Sequence, residues 1–299
     1  MVVYSQQMLG IIASIHVKSC NCYDNMTNTI DTSQIQALYQ AGLTLNQKGD
    51  APAAIDKLRQ AIALCHQQQE LTLLMPSVRL LANILVNQGK PDEAIQLLQE
   101  QEDFYRQADY AGAVCRLMDD RGVIIRNQGD RMGALEIFMD ALKISQQLEQ
   151  SSRDANDMKG LSQVLRLQAE IIWDMSPQEA EMVGYDRAAA YGQAVMARLE
   201  AARACGDPRE IAEAMSMVLI SPHPTGITAD ERKEMFEEVQ ALIKQHGLHD
   251  LMPRLLPLQM LYGGSPLTTK APLPKAQKSV DQPQKPNKLL QFFKRFQKK

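Results

Sequence analysis

Apolar residues along the first half of the chain recur with the spacing of one helix face, and polar residues lie between them. The first clear set, at i, i+3, i+4 and i+7, is Leu38, Ala41, Gly42 and Leu45. Residues at this spacing share one side of an α-helix. Gly49 then predicts the helix end, because glycine readily adopts the left-handed backbone found just past a helix. Asp50 and Pro52 suit the cap and the first turn of a second helix.

This helix-pair pattern repeats. Asn-Gln dipeptides lead into three glycines that stand 40 residues apart, Gly49, Gly89 and Gly129. The flanking positions keep the same register, as in Leu38/Val78/Met118, Gly42/Ala82/Gly122 and Ala54/Ala94/Ala134. A single helix pair cannot bury its apolar face, so the repeat predicts units that stack on one another. The small residues predict close approach of the paired helices.

The repeated positions resemble the tetratricopeptide repeat (TPR) family. The resemblance lies in the small residue before the loop, the Gly-Asp turn, the Ala-Ile pair after it and the Leu or Phe one turn later. It covers about residues 32–149, and the spacing is that of the long-repeat variety, above the usual 34 residues. The chain has Leu38, Val78 and Met118 where the family has a large aromatic residue. The resemblance implies an all-α fold, an α-solenoid of stacked helix–turn–helix repeats.

Later elements are less regular. Leu161–Trp173 and Ala188–Ala204 predict a fourth unit with an insertion between its helices, and a further helix is predicted from Ala229 to Gln245. The stretch from Leu248 to Leu261, interrupted by Pro253 and Pro257, is predicted to cap the stack. We therefore divide the chain into four segments. These are an extension (1–31), the solenoid (32–262), a Pro/Lys-rich linker (263–287) and a basic amphipathic helix (288–299).

Charge is distributed unevenly along the chain. From Lys270 onward, nine lysines and arginines face one aspartate, a net charge of +8. Since the whole chain carries −3, residues 1–269 carry −11. A basic end on an acidic body indicates a separate electrostatic role for the tail.

The final segment combines aromatic and basic residues on opposite helix sides, a pattern typical of an interfacial membrane helix. The candidate binding residues of this tail are Lys288, Leu289, Leu290, Phe292, Phe293, Lys294, Arg295, Phe296, Lys298 and Lys299. An anionic membrane surface is the favoured target. A groove in a partner protein, the acidic body of the chain and a nucleic acid are the alternatives, with nucleic acid the least expected.

The first residues allow several interpretations. The apolar run from Met8 to Val17 has the length of a signal-peptide core, but no basic stretch precedes it and no small-residue cleavage site follows. A start of translation at Met26 is a further possibility. We favour a flexible or mis-annotated extension over an export signal.

The chain offers little catalytic chemistry. No phosphate loop, nucleophile elbow or zinc-helix motif is present. Cys65-His66 and the His246, His249 and Asp250 group are explained more simply by a buried thiol and a helix end. We therefore predict no enzyme activity, no cofactor and no metal. Five scattered cysteines do not form a disulfide framework, which favours a reducing, cytoplasmic location.

The resemblance also implies a concave groove, lined by the first helix of each unit, that takes a peptide or protein partner. By register its lining residues are Tyr39, Leu43, Asn46, Arg79, Asn83, Val86, Asn87, Arg116, Asp119, Val123, Arg126, Asn127, Arg166, Glu170 and Trp173. Asparagine can hold a peptide backbone and arginine can grip a carboxylate, which suggests an acidic or C-terminal segment. Solvated polar residues on a helix face are the plain alternative.

These observations predict a non-enzymatic adaptor or scaffold. Its groove would bind a protein partner, and its tail would attach it reversibly to the inner membrane face or to a larger assembly. The alternative is a soluble peptide-sensing regulator whose tail docks on a target protein.

Overall fold

The computed structural model describes residues 32–222 and 225–262. Within these ranges the chain forms α-helices, one short 3-10 helix at His249–Leu251 and no strand. The helices are α1 (Ser33–Gln47), α2 (Ala51–Gln68), α3 (Leu71–Asn87), α4 (Pro91–Gln107), α5 (Ala111–Asn127), α6 (Arg131–Asp154), α7 (Met158–Asp174), α8 (Pro177–Met182), α9 (Arg187–Cys205), α10 (Pro208–Ile220), α11 (Ala229–His246) and α12 (Met252–Tyr262). The predicted extension, linker and tail lie outside the described residues.

The helices pack in the order expected of a repeat array. Each unit pairs a first helix with a second one: α1 with α2, α3 with α4, α5 with α6, α7 with α9, and α10 with α11. First helices of neighbouring units contact each other, and each second helix contacts the next first helix. This arrangement confirms the predicted fold class, an all-α, solenoid-like stack.

Residues with a left-handed backbone conformation form the turns between the helices. Gly49, Gly89 and Gly129 have φ angles of 82°, 72° and 100°, where glycine carries no steric penalty. Asp50 then caps α2 by accepting a hydrogen bond from the Ala53 N–H at 3.2 Å. The spacing of the glycines therefore marks the turn inside each of the first three units.

Small residues let the paired helices approach closely. A Cβ atom added to Gly42 would lie 2.8 Å from Cγ of Leu58, and one added to Gly122 would lie 2.7 Å from Cε1 of Phe138. Leu58 and Phe138 are fully buried. The alanines that follow each turn, Ala54, Ala94 and Ala134, are fully buried as well.

The fourth unit contains an inserted helix. α8 lies between α7 and α9, and its capping box joins Ser176 to Glu179 in both directions. The closing helix α12 packs on α10 and α11. The helix α12 continues through Pro253 and Pro257. Pro253 lies in the first turn, where a missing N–H costs no helical hydrogen bond.

Candidate functional site

The candidate site is the surface made by the first helices α1, α3, α5 and α7, which we call the first-helix face. Because these helices contact each other in sequence, the lining residues predicted from the register lie on one row of packed helices. Tyr39, Leu43 and Asn46 on α1 are half-buried. The face is polar on α3 and densely charged where α5 meets α7.

Two asparagines on α3 are exposed and close together. The Asn87 side-chain amide donates to the Asn83 carbonyl oxygen at 3.0 Å. Asn127 is exposed at the end of α5. Each amide keeps further donor or acceptor capacity, so this part of the face can hydrogen-bond the backbone of an extended chain.

Arg79 on α3 bridges to the next unit. Its Nε and Nη2 atoms donate to the two carboxylate oxygens of Asp120 on α5, at 2.5 and 2.9 Å. This bidentate geometry is the strongest form of an Arg–carboxylate contact. The arginine predicted as a carboxylate anchor therefore already holds a carboxylate of its own chain.

Arg116 on α5 is similarly engaged. It forms ion pairs with Asp119 at 3.5 Å and with Glu170 on α7. Asp119 is only 1% exposed. Burial, reinforced by the negative charge of Asp174, raises the pKa of Asp119 to about 8, and Arg116 offsets only part of this effect.

Arg126 lies at the end of α5 against the insertion. It donates to the main-chain carbonyl of Asp174 and lies 3.8 Å from the carboxylate of the buried Glu179. Burial raises the pKa of Asp174 as well, although the charge of Arg126 acts in the opposite direction. Beside this group, Trp173 is 39% exposed, and the Arg187 guanidinium lies 4.8 Å from the centre of its ring.

A second group of charges continues the row toward α10. Arg166 on α7 lies 3.7 Å from Glu213, which also pairs with the buried Arg198 at 3.5 Å. Burial and the neighbouring positive charge of Arg166 together lower the pKa of Arg198 to about 10, although the charges of Glu210 and Glu213 act in the opposite direction. This group ties α7, α9 and α10 together.

Sequence reasoning missed the carboxylates that face the arginines. Asp120, Asp174, Glu179 and Glu213 were not among the predicted site residues. Asp119 and Asp120 are neighbours in sequence, but their side chains point in different directions, one into the core and one toward Arg79. The residues of an ion pair such as Arg79 and Asp120 are far apart in sequence, so no local pattern signals them.

The groups considered for catalysis have structural partners. His66 packs edge-on against Phe104, with the ring centres 4.4 Å apart. Asp250 accepts two hydrogen bonds from Arg209, at 2.9 and 3.0 Å. Among the described residues, no three His, Cys, Asp or Glu side chains converge in a way that could hold a metal ion.

Comparison with models of protein families finds no match, and comparison with curated proteins finds none either. The likeness to tetratricopeptide repeats therefore stays a resemblance carried by the residues themselves. Within residues 32–222 and 225–262, none of the helices has both the length and the apolar character needed to cross a bilayer.

Proposed function

We propose that this protein is a non-enzymatic interaction scaffold whose first-helix face binds an extended segment of a partner protein. The observation that supports the proposal is the continuous row of four packed first helices carrying half-exposed polar side chains. Helices fixed by packing present binding groups at constant spacing, which lowers the entropic cost of binding.

The α3 part of the face supplies the groups for backbone recognition. Asn83 and Asn87 are exposed and already aligned by their mutual hydrogen bond. In the Arg79–Asp120 pair beside them the arginine side chain is 45% exposed and the aspartate side chain 23%, so a partner can reach the pair mainly from the arginine side. A partner segment lying across α3 and α5 would therefore meet both hydrogen-bond donors and hydrogen-bond acceptors of these side chains.

We further propose that the basic tail, residues 288–299, attaches the scaffold reversibly to an anionic membrane or to a larger assembly. Each apolar side chain of the tail contributes about 1.5–3 kcal/mol when buried, and each basic residue about 1 kcal/mol near anionic lipid. Ordering the twelve residues costs about 1–2 kcal/mol apiece, partly offset by helix hydrogen bonds. The favourable and unfavourable contributions are similar in size, which favours reversible over permanent attachment.

Affinity purification tests the partner-binding face. We expect Arg79→Ala/Asn83→Ala in the full chain to lose proteins that the unmodified chain retains. Gln60→Ala/Lys143→Ala, at exposed positions on the second helices α2 and α6, is the control and should retain them. An unchanged set of bound proteins in both variants would contradict the proposed face.

Co-sedimentation with vesicles tests the tail. The full chain should pellet with vesicles containing phosphatidylserine and not with phosphatidylcholine alone, and Phe292→Ser/Phe293→Ser should abolish pelleting. Suppose that neither the full chain nor the Phe variant pellets, but the variant loses proteins that the full chain retains in affinity purification. The tail then docks on a protein, as expected for the alternative of a soluble regulator. Equal pelleting of both chains would refute the membrane role of these phenylalanines.

A further inference from the structure

The second helices α2 and α4 leave a cleft of about 470 Å³ between them. The first helix α3 contacts both of them, and its residues Leu81 and Leu85 line the base of the cleft. These two leucines lie on the side of α3 opposite Asn83, because residues two apart in a helix point in nearly opposite directions. The cleft is therefore separate from the first-helix face.

The cleft combines an apolar base with a charged, exposed rim. Ile62 of α2 joins the two leucines at the base, and all three are buried. On the rim, Arg59 of α2 lies 3.7 Å from Glu93 of α4, with side chains that are 60% and 46% exposed. An ion pair this exposed contributes little to stability, so it is a weak closure for the cleft. Cavities of about 300–1,000 Å³ are the size that accommodates bound organic groups.

A buried acceptor also borders the cleft. Gln101 of α4 lines it and is 5% exposed, and its Oε1 atom has no hydrogen-bond partner in the structure. A buried polar atom without a partner is unfavourable. The cleft therefore favours an occupant that brings hydrogen-bond donors.

The wall formed by α4 is acidic. This helix carries five carboxylates and one arginine, a net charge of −4, which is more negative than that of any other helix in the described ranges. Its ion pairs within those ranges involve Glu93, Glu102 and Arg106. They do not include Glu100 and Asp103, which are exposed and lie about one turn apart. A positively charged occupant would be attracted to these two side chains.

The end of the chain itself has the matching chemistry. Residues 288–299 contain four lysines, one arginine and no acidic side chain. Leu289, Phe292, Phe293 and Phe296 have the i, i+3, i+4, i+7 spacing with which an amphipathic helix enters an apolar groove. As a helix, twelve residues would be about 18 Å long, shorter than the roughly 25 Å of α4.

The linker is long enough to bring this tail to the cleft. Its 25 residues, 263–287, span about 78 Å when extended. The unit of α10 and α11 lies three units beyond the unit of α3 and α4. With packed helices about 8–10 Å apart and two helices in each unit, this separation is at most about 60 Å. A tail and a cleft of the same chain can therefore meet.

We propose that residues 288–299 dock as a helix in the cleft between α2 and α4 of the same chain. The phenylalanines contact the apolar base, and the basic side chains face Glu100 and Asp103. The tail cannot contact the cleft and another surface with the same phenylalanines, so docking withholds it until a stronger binding surface competes. This inference goes beyond the proposed function and is tested without vesicles or a partner.

Photo-cross-linking of the full chain tests the docking. Benzoylphenylalanine in place of Phe293 keeps an aromatic side chain, and mass spectrometry locates its cross-links. We expect cross-links to α2 and α4 at residues of the cleft, such as Ala63 and Leu97. In an equal mixture of ¹⁵N-labelled and unlabelled chains, both cross-linked peptides should carry the same label. Cross-links between labelled and unlabelled chains would overturn the inference in favour of docking between two copies, and cross-links that avoid the cleft would overturn it outright.

Charge reversal on α4 provides a second readout. Glu100→Lys/Asp103→Lys should lower the yield of cleft cross-links about 5- to 10-fold. Glu136→Lys/Asp140→Lys makes the same charge change at exposed positions of α6 and should leave the yield unchanged. Added salt should lower the yield in the unmodified sequence context as well, because it screens exposed charges. Equal yields in both double variants, or a yield that does not respond to salt, would refute the role of the α4 carboxylates. If cleft cross-links are absent but the full chain still pellets with anionic vesicles, this inference fails while the proposed function stands.

Discussion

Gly122→Ala places a methyl group in the tightest contact between α5 and α6. The added Cβ would lie 2.7 Å from Cε1 of Phe138 and 3.0 Å from two further ring carbons. Separations below 3.0 Å require something to move. Phe138 is fully buried in the core, so its rigid ring has little room to withdraw.

Two effects of opposite sign decide the outcome. In a helix interior alanine is favoured over glycine by about 1 kcal/mol. Adding a methyl group to a packed core costs about 1–3 kcal/mol. Contact with three atoms of a rigid ring favours the upper part of that range. We therefore expect Gly122→Ala to lower the free energy of unfolding by about 1–2 kcal/mol.

Urea unfolding of the full chain, followed by far-ultraviolet circular dichroism, measures this change as a lower midpoint. The second unit supplies the control, because Ala82 and Leu98 occupy the positions of Gly122 and Phe138 there. In a Phe138→Leu background, Gly122→Ala should be neutral or should stabilise by up to about 1 kcal/mol. Unchanged stability of Gly122→Ala alone, or an equal loss in both backgrounds, would refute the explanation by ring contact.

Three other measurements follow from buried groups. Burial raises the pKa of Asp119 to about 8, above the value near 4 of an unfolded chain. The stability that the protonated form of Asp119 provides is therefore complete below about pH 4 and is lost as the pH rises through about 8. In Asp119→Asn, the melting temperature should therefore change less with pH between about pH 5 and about pH 9 than it does in the unmodified chain. Arg121→Ala leaves the buried Glu102 without its bidentate partner and should cost about 3 kcal/mol in urea unfolding. Burial raises the pKa of Cys65 to about 12, so iodoacetamide should label the half-exposed Cys205 faster, as read by peptide mass spectrometry.

Matched variants separate these effects from general damage. Asp140→Asn removes an exposed carboxylate on α6 and should leave the pH dependence unchanged. Arg153→Ala breaks a pair with Glu149 in which the arginine is 50% exposed, and it should cost less than about 1 kcal/mol. Similar decreases in the free energy of unfolding for Arg153→Ala and Arg121→Ala would contradict the role given to burial. Equal rates of iodoacetamide labelling at Cys65 and Cys205 would contradict it as well.

Much of the fold could be predicted because single residues in the local sequence determine the turns. The glycines at 40-residue spacing fix the turns inside the units, and Gln69 and Asp109, also 40 residues apart, take left-handed conformations between units. The next such residue, Asn156, comes 47 residues after Asp109, since α6 has 24 residues where α4 has 17. Seven residues are about two helical turns, so the helix ends on the same side and the packing continues. A comparison at one fixed spacing therefore fails at the fourth unit, although the order in which neighbouring helices pack continues through it.

Less of the candidate site could be predicted. Register alone places Arg79 and Arg116 on the first-helix face, but it does not show that Asp120 and Glu170 face them. Those contacts depend on the distance and rotation of neighbouring helices, which no local pattern records. The burial of Asp119 likewise follows from the approach of α7 to α5, which the 40-residue pattern did not describe.

The main contacts of the array join helices that are no more than three apart in chain order. Within residues 32–222 and 225–262, a mechanical force applied at the two ends of the array would therefore act mainly on contacts between near neighbours in the helix order. It would peel the terminal helices away first and then each inner unit in turn, in a series of small extensions. A helical array built in this way would unfold gradually under tension, and each unit could refold when the tension is released.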